Sequence, residues 1–290
     1  MSSRSPLAIV TMTYNEGDLV SVWRRHYATQ VGDAQCYVID HGSTDGSASD
    51  LGDVNIVRIP RSPQDDKMRA GFLSCFCASL LCWYDAVIYV DIDEFLVADP
   101  ARHNSLLGYA ASVEQDGVRT AIGFDVIHPS SEEPTMDWSR PVSEQRRWLR
   151  FSSAMCKPVL IRRPVSWAPG FHCIDTPPRF DDLYLFHLRY ADRDAGLQRL
   201  ARTRTQPWKR QDAGMHQRMA DDHWDAMLSG MAGLERRDDI VLGENDPALR
   251  EWLARVIESA ESRTEELYKI DLHLSGDALW RLPDRFVGTF

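Results

Sequence analysis

The stretch AVIYVDIDEFL, Ala86 to Leu96, constrains the fold more than any other part of the chain. Its first five residues, Ala86 to Val90, are all apolar or aromatic, too few for a helix of their own and followed at once by acids. That predicts a strand buried on both faces. Three acids then fall within four positions: Asp91, Asp93 and Glu94. Side chains alternate along a strand, so Asp91 and Asp93 are expected on one side, with Ile92 directed back into the structure. Open α/β sheets bind ligands beyond the carboxyl ends of their strands, and two hard oxygen donors there suit Mg²⁺ or Mn²⁺ bridging to phosphate. The alternative, a strand that simply exits into water through acids, gives this cluster no task.

The segments before it build the same layer. Leu7 to Met12 is an apolar strand that ends in TYNEG, and Leu19, Val22, Trp23, His26 and Tyr27 follow at helical spacing up to Gly32. Cys36 to Ile39 is a second strand running into DHGSTDGS, a tight loop, and Val54 to Ile59 is a third. Ser62, Pro63 and Asp65 supply an N-cap, a first-turn proline and a capping acid for a helix carrying Phe72, Cys75, Phe76, Ser79 and Leu80. This order is that of a doubly wound α/β layer filling about the first hundred residues. Beyond it, Arg119 to Ile127, Lys157 to Arg162 and Tyr184 to His187 read as further strands. The Pro-containing segment from His128 to Ser143 reads as a surface loop of the kind that closes over a site. From Arg193 the pattern is helical, with a stripe at Leu249, Trp252, Leu253, Val256 and Ile257. The expected division is an α/β catalytic domain over residues 1–190 and a mainly helical C-terminal extension over 191–290.

Charge and cysteine usage narrow the ligand classes. A formal net charge of -10 opposes binding to nucleic acid or anionic membrane, so a phosphate-bearing ligand needs local cations or a metal. The six cysteines form no CxxC pair, which fits reduced thiols in a cytoplasmic protein better than a disulfide framework or a zinc site. The opening residues lack the apolar core of a signal peptide, and the uncharged run from Ala70 to Tyr84 is too short and too rich in Ser and Cys to span a bilayer. No integral membrane segment is expected.

Four clusters carry candidate chemistry: TYNE after the first strand, Asp40 after the second, the Asp91 and Asp93 pair, and the histidines His172 and His187. If the strands are parallel, the first three face a common crevice. There a carboxylate at Asp40 can accept hydrogen bonds from a base or ribose, and backbone amides around Thr13 to Glu16 can approach a nucleotide closely. The bland role for Asn15, Asp40 or Asp45 is loop capping. VIDHGSTDG is faintly like the glycine loop of a methyltransferase but lacks the following helix and ribose acid. DIDEF is faintly like the acid pair of haloacid-dehalogenase phosphatases, yet that pair belongs on a first strand.

Taken together, VTMTYNEG, the W and HY of the first helix, YVIDHGSTDGS and VIYVDIDEFL resemble the family 2 glycosyltransferases, in the branch related to family 92, which have the GT-A fold. The likeness extends loosely through KPVLIRRPVSWAPGFH and LYLFHLRYAD, about two hundred residues in all. It implies a Rossmann-like, mainly parallel sheet flanked by helices, and a metal-dependent transfer of sugar from a nucleotide diphosphate, UDP by family habit, to a hydroxyl of a glycan or small-molecule acceptor. Thr13, Asn15, Glu16 and Asp40 would hold the nucleotide. Asp91 and Asp93 would contact ribose and a Mn²⁺ or Mg²⁺ ion. His187, after a late strand, would complete the metal shell, with His172 the second choice, and Lys157 would serve the diphosphate. The chain lacks the Glu–Asp pair that many inverting members carry after the DxD strand, so the base candidates are Asp125 first, then Asp137 and Asp175. Acceptor choice would lie with the 128–143 loop and the C-terminal helices. The competing readings are a nucleotidyltransferase, against which counts the missing Gly-rich basic loop, and a non-catalytic nucleotide-sugar or glycan-binding protein.

Overall fold

The computed structural model describes residues 4–210, 212, 214–243, 245–263 and 267–290. The first part of the chain runs β1 (Ser5–Thr13), α1 (Asp18–Val31), β2 (Cys36–Asp40), β3 (Asn55–Arg58), α2 (Asp66–Leu80), β4 (Tyr84–Tyr89) and β5 (Glu94–Ala98). Next come α3 (Leu106–Ser112), β6 (Val118–Thr120), β7 (Ile122–Ile127), α4 (Val142–Gln145), β8 (Trp148–Phe151), β9 (Pro158–Ile161) and β10 (Leu183–His187). The remainder is α5 (Arg193–Thr205), α6 (Asp221–Ala232), β11 (Glu235–Arg237), α7 (Pro247–Glu258), β12 (Glu261–Arg263), β13 (Leu267–Lys269) and β14 (Ala278–Arg281). Among the described residues the strands form two six-stranded sheets, ordered β3-β2-β1-β4-β9-β6 and β11-β14-β8-β7-β10-β5, and a β12-β13 ribbon.

The fold is α/β, and its first sheet follows the expected layer. Strands β3, β2, β1 and β4 are parallel neighbours; β9 is added antiparallel to β4, and β6 antiparallel to β9. Burial on both faces gives the period of two expected of a central strand. Leu7, Ile9, Ala86 and Ile88 join a core with Trp23 and Tyr27 of α1, while Ala8, Val10, Val87 and Tyr89 join another with Ala70, Leu73 and Cys77 of α2. A third core packs α5 and α6 against the second sheet through Leu200, Trp224, Leu228 and Ile127. No helix among the described residues is long and apolar enough to cross a membrane.

Several local expectations change. The stretch 119–127 is two strands, parting at Ala121 so that β6 serves the first sheet and β7 the second. The cap of α2 is Asp65, whose side chain accepts from the amides of Lys67 and Met68. Ser62 cannot fill that role because its hydroxyl is bonded to His41 Nε2 at 3.0 Å, and Gln64 is extended, pairing with the backbone of 207–209. Cys75 and Ser79 of α2 are exposed, and the helix buries Ser74 and Cys77 instead. The loop 128–143 is tied down, with the Met136 amide donating to Asp192 at 2.7 Å and Arg146 donating to the Pro134 carbonyl at 2.8 Å. The C-terminal residues contribute strands as well as helices, since β14 pairs antiparallel with β8 and parallel with β11.

The two sheets meet where the chain leaves β4, turns through residues 90–93 and enters β5. Strand β5 pairs antiparallel with β10, and β10 pairs parallel with β7, so Glu94, His187 and Asp125 lie in one cross-strand row. Two residues before Asp125, β7 makes a close approach at Gly123, where an added Cβ would sit 2.3 Å from the carbonyl carbon of Met155. Gly123→Ala should therefore destabilise the protein by about 1–3 kcal/mol through overpacking. Urea denaturation measures this, and an unchanged midpoint would refute the tight approach.

Candidate active site

The register of β1 and β2 sets Thr13 opposite Asp40, at the carboxyl edge where β4 also ends. Their surroundings separate the residues by task. Asp40 is 1% exposed, accepting from the Ser43 amide at 2.7 Å and pairing with Arg58 at 2.7 Å. Asn15, in the left-handed region at φ 52, accepts from the Thr44 amide at 2.7 Å and donates its own amide to Ser43 Oγ. These two bolt the loops after β1 and β2 together, and neither lines the cavity beside them. Thr13 does line it. Its buried hydroxyl has no hydrogen-bond partner among the described residues.

That cavity, of about 690 Å³, lies over the carboxyl edge of the first sheet and reaches the ends of β7 and β10. It is within the size range of small-molecule sites. Tyr14, His41 and Gln64 border one region, and Arg61 stacks 3.6 Å over the Tyr14 ring while Nη1 contacts His41 Nδ1 at 2.9 Å. Across it stand α5 and the segment after it, with Arg199, Leu200, Gln206 and Trp208. The 128–143 loop supplies no lining residue, so it is not a lid over this cavity.

Asp91 and Asp93 flank a turn, and its geometry sends their carboxylates to different partners. Asp91 accepts from Arg69, from Tyr89 at 2.7 Å and from Lys157 at 3.0 Å. Lys157 also reaches Glu94 at 2.5 Å. Burial works against the ionised Asp91, but Arg69 and Lys157 outweigh it and hold its carboxyl below the usual range. Burial likewise opposes the charged Lys157, whose pKa is raised by Asp91 and Glu94. Lys157 is thus a buried counter-ion, 5% exposed.

Asp93 belongs to a second cluster. Its Oδ2 faces His187 Nε2 at 3.2 Å, and the other ring nitrogen, Nδ1, contacts Asp125 Oδ1 at 2.7 Å. Arg199 donates to the same Asp93 oxygen and holds Glu16 Oε1 through Nη2 at 3.1 Å, while Arg202 takes the other Glu16 oxygen at 3.2 Å. Burial opposes a charged ring at His187, but Asp93 and Asp125 outweigh it and lift the pKa to about 9. An imidazolium donates from both nitrogens, which is what two flanking carboxylates require.

The structure brings together Thr13, Glu16, Asp91, Asp93, Asp125, Lys157, His172 and His187 as cavity-lining residues. It does not bring Asp175, which is paired to Arg163 with its side chain 48% exposed. Asp137 is also elsewhere, holding Ser139 in the 128–143 loop. Asp125, the first candidate base, has its Oδ1 committed to His187. Sequence reasoning missed Arg199 and Arg69, since an arginine in a charged helix carries no local mark, and it valued the TYNE turn for its backbone and polar groups rather than for the Tyr14 ring.

Among the described residues no group of three or more Asp, Glu, His or Cys side chains is placed to hold a metal ion. Two donors are nevertheless suitably arranged. With bonds of roughly 2.0–2.2 Å, adjacent ligands of one ion stand about 3 Å apart, close to the 3.2 Å between Asp93 Oδ2 and His187 Nε2. Asp125 behind Nδ1 completes the carboxylate–histidine arrangement that orients a metal-binding imidazole. Magnesium-type ions commonly take only one or two carboxylates and leave the remaining positions to water and phosphate. Asp93 Oδ2 and His187 Nε2 thus stand at a spacing that a divalent ion could span once Arg199 leaves Asp93 and the ring gives up its Nε2 proton, whereas Asp91 is held by Arg69 and Lys157.

No family model matches the sequence, and no curated protein is similar to it. Among solved structures the chain is similar to the crystal structure of mannose-1-phosphate geranyltransferase from Thermus thermophilus. Identity is 11% and the TM-score 0.32, with 79% of this chain and 67% of that chain covered. A likeness that shallow supports no inference about activity.

The raised pKa of His187 gives a sign for the metal-free protein. Its charged form stabilises the fold fully below the unfolded value near 6.5, and that contribution fades as pH rises through about 9. In EDTA, the excess of the wild-type Tm over that of His187→Gln should shrink between pH 6.5 and 9. A difference independent of pH would mean a neutral ring.

Proposed function

We propose that the protein is a metal-dependent glycosyltransferase that takes a nucleotide diphosphate sugar, with UDP the first nucleotide to test. The observation that carries this reading is the row Asp93–His187–Asp125, joined at 3.2 and 2.7 Å, at the floor of a cavity that begins at the carboxyl edge of a parallel α/β sheet. The motif likeness supports it further, as does the unpartnered Thr13 hydroxyl at that edge, a buried group that a bound ligand would satisfy.

In this reading Asp93 and His187 would hold the ion once the ring has lost its Nε2 proton, and Asp125 would keep the proton on Nδ1. A bound divalent ion supplies Lewis-acid neutralisation of the charge that grows on the departing diphosphate. The chain's residues do the rest. The edge after β1 receives the nucleotide, and Tyr14 with Arg61 forms the face against which its base lies. Asp40 acts at one remove, by fixing the loop that carries His41. The bond from the anomeric carbon to the diphosphate oxygen breaks with its electron pair leaving on the nucleoside diphosphate. The acceptor oxygen bonds to that carbon, and its proton passes to a carboxylate of the cavity. Acceptor contacts fall to the wall made by α5, Trp208 and Trp224.

A thermal-shift panel of nucleoside diphosphates with and without Mn²⁺ tests this first, because a ligand that binds the folded state raises its apparent stability. UDP should raise the Tm in the presence of Mn²⁺, and UDP-sugars should turn over. No shift with any nucleoside diphosphate would contradict the reading. Asp93→Asn should fold but lose the Mn²⁺-dependent shift and transfer. Asp125→Asn should weaken Mn²⁺ binding about 10–100-fold, the usual cost of losing the partner behind a metal-bound histidine. Asp175→Asn should match wild type in both assays.

A further inference from the structure

Arg199 stands where the metal reading and the structure compete for one atom. Asp93 Oδ2, which faces His187 Nε2 at 3.2 Å, is also the oxygen to which Arg199 donates. An ion bonded to both Asp93 Oδ2 and His187 Nε2 must take that oxygen from the guanidinium, since two cations at one carboxylate oxygen repel. The imidazolium of His187 must likewise give up its Nε2 proton to the incoming ion, but the remaining cations near the β4–β5 turn face no such conflict. Arg69 and Lys157 neutralise Asp91 and Glu94, which the donor geometry leaves out of the ion's shell.

Resting on the nucleotide-sugar reading above, we propose that Arg199 is a latch on the metal site, holding Asp93 while no donor is present and transferring to the donor's diphosphate when it arrives. Its position suits both tasks. The guanidinium spans Asp93 and Glu16, joining the β4–β5 turn to the loop after β1 where the nucleotide would enter, and its side chain is a quarter exposed to the cavity. A planar fork that pairs with carboxylates pairs equally well with phosphate oxygens. Glu16 is not stranded by the transfer, because Arg202, one turn further along α5, keeps its other oxygen at 3.2 Å. Helix α5 itself is fixed at its start by Asp192, which accepts from the Ala195 amide at 2.9 Å, so a side-chain swing is sufficient. The consequence is that metal enters with the nucleotide and binds poorly ahead of it.

Mn²⁺ binding, followed by the electron paramagnetic resonance of the free ion, tests this without recourse to turnover. Wild type, Arg199→Met, Arg199→Lys and Arg202→Met are titrated with Mn²⁺, each with and without UDP, after their folding is checked by circular dichroism. Arg199→Met should bind Mn²⁺ alone roughly tenfold more tightly than wild type, and the enhancement of Mn²⁺ binding by UDP should fall by a similar factor. Arg199→Lys, which keeps the charge but cannot bridge both carboxylates, should shift the same way by less, and it carries the comparison if the methionine variant fails to fold. Arg202→Met, whose guanidinium pairs with Glu16 and not with Asp93 among the described residues, should leave Mn²⁺ affinity at the wild-type value. Equal Mn²⁺ affinity in wild type and the Arg199 variants, or no binding to any of them, overturns the latch. A gain in Mn²⁺ affinity with no effect of UDP on any protein would leave Arg199 competing with metal for Asp93 but overturn its transfer to a diphosphate, and with it the nucleotide reading beneath.

Discussion

Compensation of buried carboxylate charge at the turn between β4 and β5 is the constraint on which the site depends. Asp93 and Glu94 are each 5% exposed or less, and the chain must pass this point to go from one sheet to the other. Ionised acids are not tolerated at such depth without partners. Each partner is therefore drawn from a different element: Arg69 from α2, Lys157 from the residue before β9, His187 from the end of β10 and Arg199 from α5. The same ion pairs that make the turn bearable thus tie the helical C-terminal part of the chain to both sheets.

Register decides which of these pairs has chemical potential. The parallel match of His187 to Asp125 and the antiparallel match of His187 to Glu94 set an imidazole between acids. A slip of one residue in β10 would turn His187 into the opposite face. Gly123 lies two residues before Asp125 on the same strand and lets the Met155 backbone approach, so packing and site geometry share a cause.

Much of this was legible in the sequence where burial leaves a pattern. The strands β1, β2 and β4 are apolar on both faces, and polar residues that break such runs, Asp125 in GFDVI and His187 in YLFH, carry a cost that invites a functional explanation. The DxD spacing located the acids but not their geometry, because a turn replaces the strand alternation on which a shared direction relied. The second sheet was hidden for a different reason. Its strands are short and recruited from distant parts of the chain, β14 pairing with β8 some 130 residues away, and no local periodicity encodes that. Arg199 was hidden in the same way, being one of several arginines in RDAGLQRLARTRT, with partners 106 and 183 residues distant. Asp40 and Asn15 show the converse. Both sit in motif positions, yet their hydrogen bonds are spent on joining two loops.

Anomalous diffraction from crystals grown with Mn²⁺ and UDP tests the metal assignment most directly. The predicted result is one strong manganese peak in bonding contact with Asp93 Oδ2, His187 Nε2 and the UDP phosphates, with Asp125 still on Nδ1 and Arg199 turned from Asp93 onto the diphosphate. A peak bound by His172 or by Asp91 without His187, or UDP seated with Arg199 still on Asp93 and no manganese beside it, would contradict it.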